Sequence, residues 1–580
     1  MSVCWWMMLV LYWALVVSQP LDELVCGRSR HFHNIPDMMY RVFAHTRSWR
    51  VPRPLLDRAR DLTMPPITII VTTKNDGLYL ETTISTLLAQ SYANTKVLLL
   101  DDASDDQSSL LALQRLEQCR WARAGKLRIL RRRTAQGTYV LRNLGLMEAD
   151  TDLVTFSDAD DISHVDRIIA QYTRLQSAAR QAIACVTEYV RITAPDCSIV
   201  SNRGRDYRRA LQTLFFNRTR VIERVGYFDS VRISADSEFY ERLLRVFGHE
   251  SIISTDTVHY FAIMHNSSLS NSGASALTLS AANISEFLGQ DRLAYTTAFQ
   301  KWHTETPVDR LYMPFPLLRR RFACPIGHRT NSLLDRINCS VSIGIAATTK
   351  RSSLYLAVRS LAKQADRLYL YLNDFSEPPR WLAEFGDTVA VAHAPSGDLQ
   401  DNGKVYFLDH MHGFVFTCDD DIVYPTDYVQ RMILRLLDHD LFAVVGVHGV
   451  NMTASFWNSD RLGYYSPTAR SVARFHDARS FETSADVLGT GTTAWHASVF
   501  PTLRLHDFFW PSMADIWLAL YSHNRHVPLF CVARPAKWLV EIPAKKTIYL
   551  QMRNRNDNTT LQTAVIRSLR EKLPSSERLL

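Results

Sequence analysis

Residues 152–161 read DLVTFSDADD, and residues 414–421 read FVFTCDDD. Each is a short apolar run that ends in a group of carboxylates. Two unit charges ~4 Å apart repel by roughly 4 kcal/mol at an effective dielectric near 20, so a cation is expected beside each group. The apolar runs decide the fold: unbroken apolar and β-branched residues, bounded by polar ones, predict strands buried on both faces of a parallel sheet. Working outward, ITIIV at 67–71 is another such run, followed by TTKNDG and an amphipathic stretch over 78–90. KVLLLDDASDD (96–106) is a strand ending at Asp101 and Asp102, KLRIL (126–130) a further strand, and GTYVLRNLGLMEA (137–149) a helix. Strands alternating with helices predict an α/β fold with a parallel sheet. Ligands of such sheets bind at the carboxyl ends of the strands, where Asn75, Asp101, Asp102, Asp158 and Asp160 fall.

The second half repeats the pattern. VSIGIAA (341–347) is followed by TTKRSS, the helix LYLAVRSLAKQA, the strands RLYLYLND and DTVAVAHA, a helix after GDLQDNGK, and then FVFTCDDD. A chain of 580 residues is too long for one core. The expected organisation is a hydrophobic anchor or signal at 1–20, a helical preamble at 21–66 and a first α/β domain at 67–270. A helical linker at 271–338 follows, then a second α/β domain at 339–545 and a tail at 546–580. The linker carries the Arg319–Arg321 cluster and four prolines, Pro307, Pro314, Pro316 and Pro325.

Hydrophobic residues make up 47% of the chain and charged ones 21%, a globular composition. A net charge of +8 suits an anionic substrate or a membrane surface and is too small to argue for nucleic acid. The nine cysteines form no CxxC pair and have no histidine cluster beside them, so reduced thiols of a cytosolic compartment are expected and a zinc site is not. CWWMMLVLYWALVV (4–17) is uncharged and apolar, slightly short of the ~20 residues of a spanning helix. Arg28, Arg30 and Arg41 follow it, which predicts a membrane-associated protein whose α/β domains face the cytoplasm. A cleaved signal leading to the secretory-pathway lumen, where the sequons at Asn217 and Asn451 would matter, and a buried helix are the alternatives.

Asp158 and Asp160 stand at i and i+2, on one side of an extended chain. Two hard oxygen ligands suit Mn²⁺ or Mg²⁺, ions that keep positions for substrate phosphates. A D-x-D at a strand end therefore suggests a metal-bound nucleotide diphosphate, with the metal neutralising charge on the leaving group. The competing reading is an acidic turn in which Asp161 caps a helix from Ile162.

In this order, ITIIVTTKNDGLYLETTISTLLAQSY, VLLLDDASDD, GTYVLRNLGL, VTFSDADD and SADSEFYERL make residues 67–265 resemble a GT-A family 2 glycosyltransferase. The resemblance implies that Asp101 or Asp102 holds the uracil, with Asn75 and Arg142 nearby. It implies that Asp158 and Asp160 hold the metal and diphosphate, with His265 contacting one of them. Asp236 matches the general base of inverting members, although Ala235-Asp236 replaces their common Glu-Asp pair.

GDLQDNGKVYF, FTCDDDIVYPTDYVQRMI, VVGVHGV, DVLGTGTTAWH and CVARPAKWL resemble the α-N-acetylglucosaminyltransferase of heparosan synthesis. The order of the two domains resembles the bifunctional heparosan synthases. Such a resemblance implies two GT-A domains, the first adding glucuronic acid with inversion and the second N-acetylglucosamine with retention. Asp419 and Asp421 would hold a metal, with Asp420 beside them on the donor. Gly403 and Lys404 would approach the nucleotide, Gly489, Thr490 and Gly491 would line the pocket, and Asp515 would stand near the reacting carbon. His448, Arg534 and Trp538 read either as site residues or as packing. The implied partners are UDP-glucuronic acid, UDP-N-acetylglucosamine, a growing polysaccharide and a membrane or export machinery. Two alternatives stand beside this: a two-domain transferase for another capsular or lipid-linked glycan, and a glycan-binding protein with a dead transferase domain.

Overall fold

The computed structural model describes residues 64–178, 181–193, 207–264, 290–330, 333–349, 351–393, 398–543 and 560–570. The expected anchor, nearly all of the preamble, His265 and most of the tail lie outside the described residues. Among the described residues no helix is long and apolar enough to cross a membrane. The chain divides into two compact units, one ending at Ser332 and one beginning at Leu333.

The first unit is built on one eight-stranded sheet of β1 (Ile67–Thr73), β2 (Thr95–Asp101), β3 (Leu127–Arg131), β4 (Leu153–Asp158), β5 (Ile162–Ser163), β6 (Ala184–Thr193), β7 (Tyr207–Asn217) and β8 (Ile252–Met264). Their order across the sheet is β3-β2-β1-β4-β7-β6-β8-β5. β1 runs parallel to both β2 and β4, and β2 parallel to β3. β7 pairs antiparallel with β4 and β6. Every residue of β1 is buried, as a central strand covered on both faces requires. The register pairs Thr73 with Asp101 and Thr72 with Asp158, so three strand ends come out at one level. Helix Thr138–Glu148 presses closely on the sheet: a Cβ on Gly145 would lie 2.4 Å from Ile70 Cγ2.

Helix Ala235–Phe247 is fastened by a fully buried ion pair. Arg242 Nε and Nη2 donate to the two oxygens of Glu238 at 2.7 and 2.9 Å. The same guanidinium donates to the carbonyls of Val225 and Tyr227, and His303 Nε2 lies 2.9 Å from Glu238 Oε1. His303 comes from helix Gln290–Glu305, the one long helix in the described part of the expected linker. Beyond it, residues 306–330 run as short turns, because their prolines lack the N–H that a helix interior needs. Arg320 pairs with Asp229 at 2.6 Å and His328 Nε2 lies 2.8 Å from the Ile233 carbonyl oxygen, which ties these turns to the first unit.

The second unit has its own eight-stranded sheet. Its order is Val389–His393, Arg367–Leu372, Val341–Ala347, Phe414–Asp419, Thr492–His496, Val444–Gly446, Leu529–Cys531, Thr483–Ser484. The first four are mutually parallel and Thr492–His496 is antiparallel to Phe414–Asp419, the same plan as β3-β2-β1-β4-β7. No α-helix follows GDLQDNGK: the string itself ends in a tight 3-10 turn, Gln400–Val405, and a second one, Leu408–His410, comes after it. The cause is close packing on the sheet. A Cβ on Gly344 would lie 2.0 Å from the Lys404 carbonyl oxygen, and one on Gly403 would lie 2.6 Å from Tyr371 Cδ1. All described cysteines are free thiols.

Replacing Arg242 by Met leaves the Glu238 carboxylate buried without its main partner and two carbonyls bare. Breaking such a pair costs about 3–5 kcal/mol, so the R242M chain should show the first unit unfolding at clearly lower denaturant concentration.

Candidate active sites

The first site gathers at the carboxyl ends of β1, β2 and β4. Asn75 adopts a left-handed conformation (φ 60°), and its side chain closes the loop after β2: Nδ2 donates to Asp105 Oδ1 at 2.8 Å and Oδ1 accepts from the Asp105 N–H at 3.0 Å. Asp102 is turned inward. Its oxygens accept the N–H groups of Gln136 and Gly137 at 2.6 and 2.8 Å, fixing the start of helix Thr138–Glu148. Burial pushes its pKa up against the pull of those two donors. Asp101 accepts the Ser104 N–H on Oδ1 at 3.2 Å, whereas its buried Oδ2 accepts no hydrogen bond and lies 3.5 Å from Arg131 Nε.

Arg142 rises from helix Thr138–Glu148 and is almost wholly buried. Its Nη2 meets Asp158 Oδ1 at 2.5 Å, and its guanidinium lies 5.2 Å from the Tyr139 ring centre and 5.5 Å from that of Phe156. Burial raises the Asp158 pKa and Arg142 opposes the rise. Asp158 remains 37% exposed, so the carboxylate faces the open end of the sheet. Asp161 does not cap a helix: Ile162–Ser163 is a strand, and Asp161 Oδ1 accepts the Ile263 N–H at 2.9 Å. Burial first, then Asp160 and Asp158, hold its carboxyl far above the usual range.

Asp236 is the second residue of helix Ala235–Phe247. Its Oδ1 accepts both the Tyr139 hydroxyl and the Ser237 N–H at 2.9 Å. Tyr139 is the residue that sequence reasoning missed. It touches Arg142 with its ring and Asp236 with its hydroxyl, and only its place one turn before Arg142 on the same helix pointed to it. Glu238 and Arg242, next along the motif, serve the packing described above and are not at the site.

In the second unit the three carboxylates meet two cations. Lys404 Nζ lies 2.5 Å from Asp419 Oδ1 and 3.4 Å from Thr490 Oγ1. Arg351 Nη1 contacts Asp420 Oδ1 and lies 2.9 Å from Asp421 Oδ2. Burial pulls the Lys404 pKa down, but Asp419 and Asp401 outweigh it and leave it raised. Burial would likewise raise Asp419, yet Lys404 leaves that carboxyl below its usual range. Asp421 is pushed up to about 7, by burial first and then by Asp419. Gly491 must be glycine, since a Cβ there would lie 1.8 Å from Asp419 Oδ2. Tyr424 locks the turn by accepting the Asp419 N–H at 2.7 Å and donating to the Gly491 carbonyl at 2.6 Å. Gly489 closes the loop through its N–H to the His448 carbonyl at 2.9 Å.

Asp515 is the second residue of helix Ala514–His523, and burial followed by Asp401 raises it to about 6. His448 is held down at about 4 by burial and by Arg470 and Arg534, so it stands neutral. Arg534 is buried and donates to the carbonyls of Val532 and Arg474. Trp538 donates to Asp427 Oδ1 at 3.0 Å and packs 5.7 Å from Tyr428.

Among the described residues no three His, Cys, Asp or Glu side chains are arranged to hold a metal unaided. Asp158 and Asp160 nonetheless suit a hard cation that completes its shell with phosphate and water: all donors are oxygens, and Asp158 is partly open although Arg142 takes its Oδ1. Asp419 and Asp421 fit less well as they stand, because Lys404 and Arg351 already occupy them.

Residues 68–227 match the family model of glycosyl transferase family 2. An uncharacterized glycosyltransferase of Haemophilus influenzae is 33% identical over 110 residues, which is 19% of this chain and 42% of that protein. Glycosyltransferase GlyG of Streptococcus pneumoniae is 28% identical over 110 residues, 19% of this chain and 35% of that protein. The chain thus spans less than half the length of these curated relatives. Among solved structures, S. aureus TarS 1–349 in complex with UDP is similar at 17% identity over 35% of this chain and 61% of that one, with a TM-score of 0.28. The same protein with UDP-GlcNAc gives 17% identity, 36% and 61% coverage and a TM-score of 0.29. The matched stretch, residues 68–227, lies within the first unit.

Two of the raised carboxyls, Asp515 and Asp421, set a pH dependence over a defined range. Unfolded aspartates titrate near about 3.9, whereas Asp515 and Asp421 keep their protons to about 6 and about 7 in the fold. Between those values the folded chain binds more protons, so both groups lower stability as pH rises through that window. Asp421→Asn removes one of them, and its unfolding midpoint between pH 4 and 7 should fall less steeply than that of the parent.

Proposed function

We propose that the protein is a two-site glycosyltransferase that builds an alternating polysaccharide. The first unit adds glucuronic acid from UDP-glucuronic acid with inversion, and the second adds N-acetylglucosamine from UDP-N-acetylglucosamine with retention. Sugar transfer as such rests on the family 2 domain, and the choice of sugars rests on the resemblance of the quoted strings. One observation carries the two-site reading above the others: each unit ends its central strand in cation-paired carboxylates and opens a helix nearby with an aspartate at its second position, Asp236 and Asp515.

In the first unit Oδ2 of Asp101, which accepts no hydrogen bond, is the acceptor that suits a base N–H, since both oxygens of Asp102 are occupied. Arg142 supplies fixed positive charge beside Asp158, where the donor diphosphate belongs. Tyr139 and the Ser237 N–H hold Oδ1 of Asp236, which leaves Oδ2 to take the proton of the attacking sugar hydroxyl. Mn²⁺ or Mg²⁺ on Asp158 and Asp160, when bound, neutralises charge on the departing diphosphate.

In the second unit Lys404 is the buried positive charge nearest the strand end, and Thr490 and Gly491 shape the wall beside it. Asp515, near Lys404 and Asp401, is the carboxyl on the sugar side of that pocket. The apolar run at 4–17 would keep both units at the cytoplasmic face of a membrane, where the polymer meets its export machinery.

The test is a donor panel on the purified full chain with each site altered in turn. Asp236→Asn should lower glucuronic acid addition by ~10²–10⁴-fold, the worth of a general base, and leave N-acetylglucosamine addition intact. Asp420→Asn should do the reverse. If either variant lost both additions while folded, the two-site model would fail. No incorporation from UDP-glucuronic acid would sink the choice of sugars.

A further inference from the structure

The segment FFWPSM at 508–513 is fixed at both ends yet turns two large rings outward. Asn402 Nδ2 donates to the Phe508 carbonyl at 3.0 Å. The Ser512 N–H donates to Asp401 Oδ1, and the Ala514 N–H donates to Asp401 Oδ2 at 2.9 Å. Trp517 Nε1 donates to the Trp510 carbonyl at 3.0 Å, and the Trp517 ring meets Phe509 edge-on at 5.2 Å. The backbone is therefore stapled to the residues just before Gly403-Lys404 on one side and to the helix of Asp515 on the other. Phe509 and Trp510 are nonetheless 68% and 61% exposed.

A single exposed apolar side chain is ordinary, but two adjacent rings on a backbone held this firmly mark a contact surface. Their position selects the occupant. The charged groups of the site, Lys404 with Asp419 and Arg351 with Asp420 and Asp421, suit the ionic donor at the strand end. The rings carry no charge and begin six residues before Asp515. A pyranose ring has an apolar C–H face and a hydroxyl rim, so it stacks on an aromatic face while its rim bonds polar groups beside it. Trp offers the largest such face at low conformational cost.

We infer that Phe509 and Trp510 form the stacking platform for the acceptor sugar chain of the second unit. The inference rests on the reading of that unit as a glycosyltransferase site and adds the acceptor subsite to it.

The experiment uses the full chain and an oligosaccharide of alternating glucuronic acid and N-acetylglucosamine with glucuronic acid at its non-reducing end. Rates of N-acetylglucosamine transfer and calorimetric binding of the oligosaccharide are both measured. Trp510→Ala and Phe509→Ala should each raise the acceptor KM and weaken binding about tenfold, the worth of one good ring contact, with a much smaller change in donor KM. Trp510→Phe should recover most of the loss. Phe481→Ala removes an equally exposed ring (67%) outside this segment and should change neither constant. Unchanged acceptor KM and unchanged binding in the double variant would overturn the platform. So would a smaller sedimenting species with unaltered acceptor binding, which would assign the rings to contact between copies of the chain. If the second unit fails to transfer N-acetylglucosamine at all, the donor reading falls, and the calorimetric titration still decides the platform.

Discussion

Arg142 against Asp158, Lys404 against Asp419, and Arg351 against Asp420 and Asp421 are the contacts around which each unit is arranged. Carboxylates at the end of a buried strand sit where desolvation penalises charge. A protein cation beside them lowers that cost, and the cation itself must then be buried. Arg142 is accordingly flanked by the rings of Tyr139 and Phe156, and Lys404 by the carboxyls of Asp419 and Asp401. Removing one partner would strand the other, so the sheet end, the helix or turn that delivers the cation, and the loop that closes over it have to be kept together.

Parallel strand pairing makes that arrangement possible. Aligned registers bring Thr73, Asp101 and Asp158 to one level in the first unit, and Leu372, Ala347 and Asp419 to one level in the second. Glycines then admit the close approaches that the site requires. Gly344 lets the Lys404 backbone lie on the sheet, and Gly491 leaves room for the Asp419 carboxylate.

The strands β1, β2 and β4 were legible because burial on both faces leaves an unbroken apolar run, and the acidic ends because charge follows that run directly. What could not be read depended on contacts far apart in sequence. Asp101 and Asp102 look equivalent as letters, and only the amides of Gln136 and Gly137 separate them. Glu238 and Arg242 stand in a site motif yet pack with His303, sixty-odd residues away. The helix expected after Lys404 gives way to tight turns because the chain at Gln400–Val405 is pressed onto Tyr371 and Gly344. Tyr139 carries no motif signal, because its role comes from Asp236, which lies on a different helix.

Asp236 and Asp515 occupy the same structural position, each following an alanine at the start of a helix. A helix N-terminus favours a carboxylate in both cases. Their neighbours differ. Asp236 receives a hydroxyl from Tyr139 and lies near Arg142. Asp515 faces Asp401, whose own oxygens take the N–H groups of Ser512 and Ala514, so part of the local donor supply goes to its neighbour. Two carboxyls on one plan are thus given unlike charge environments. The two helix starts share a plan in the backbone and differ in the side chains brought against the carboxyl.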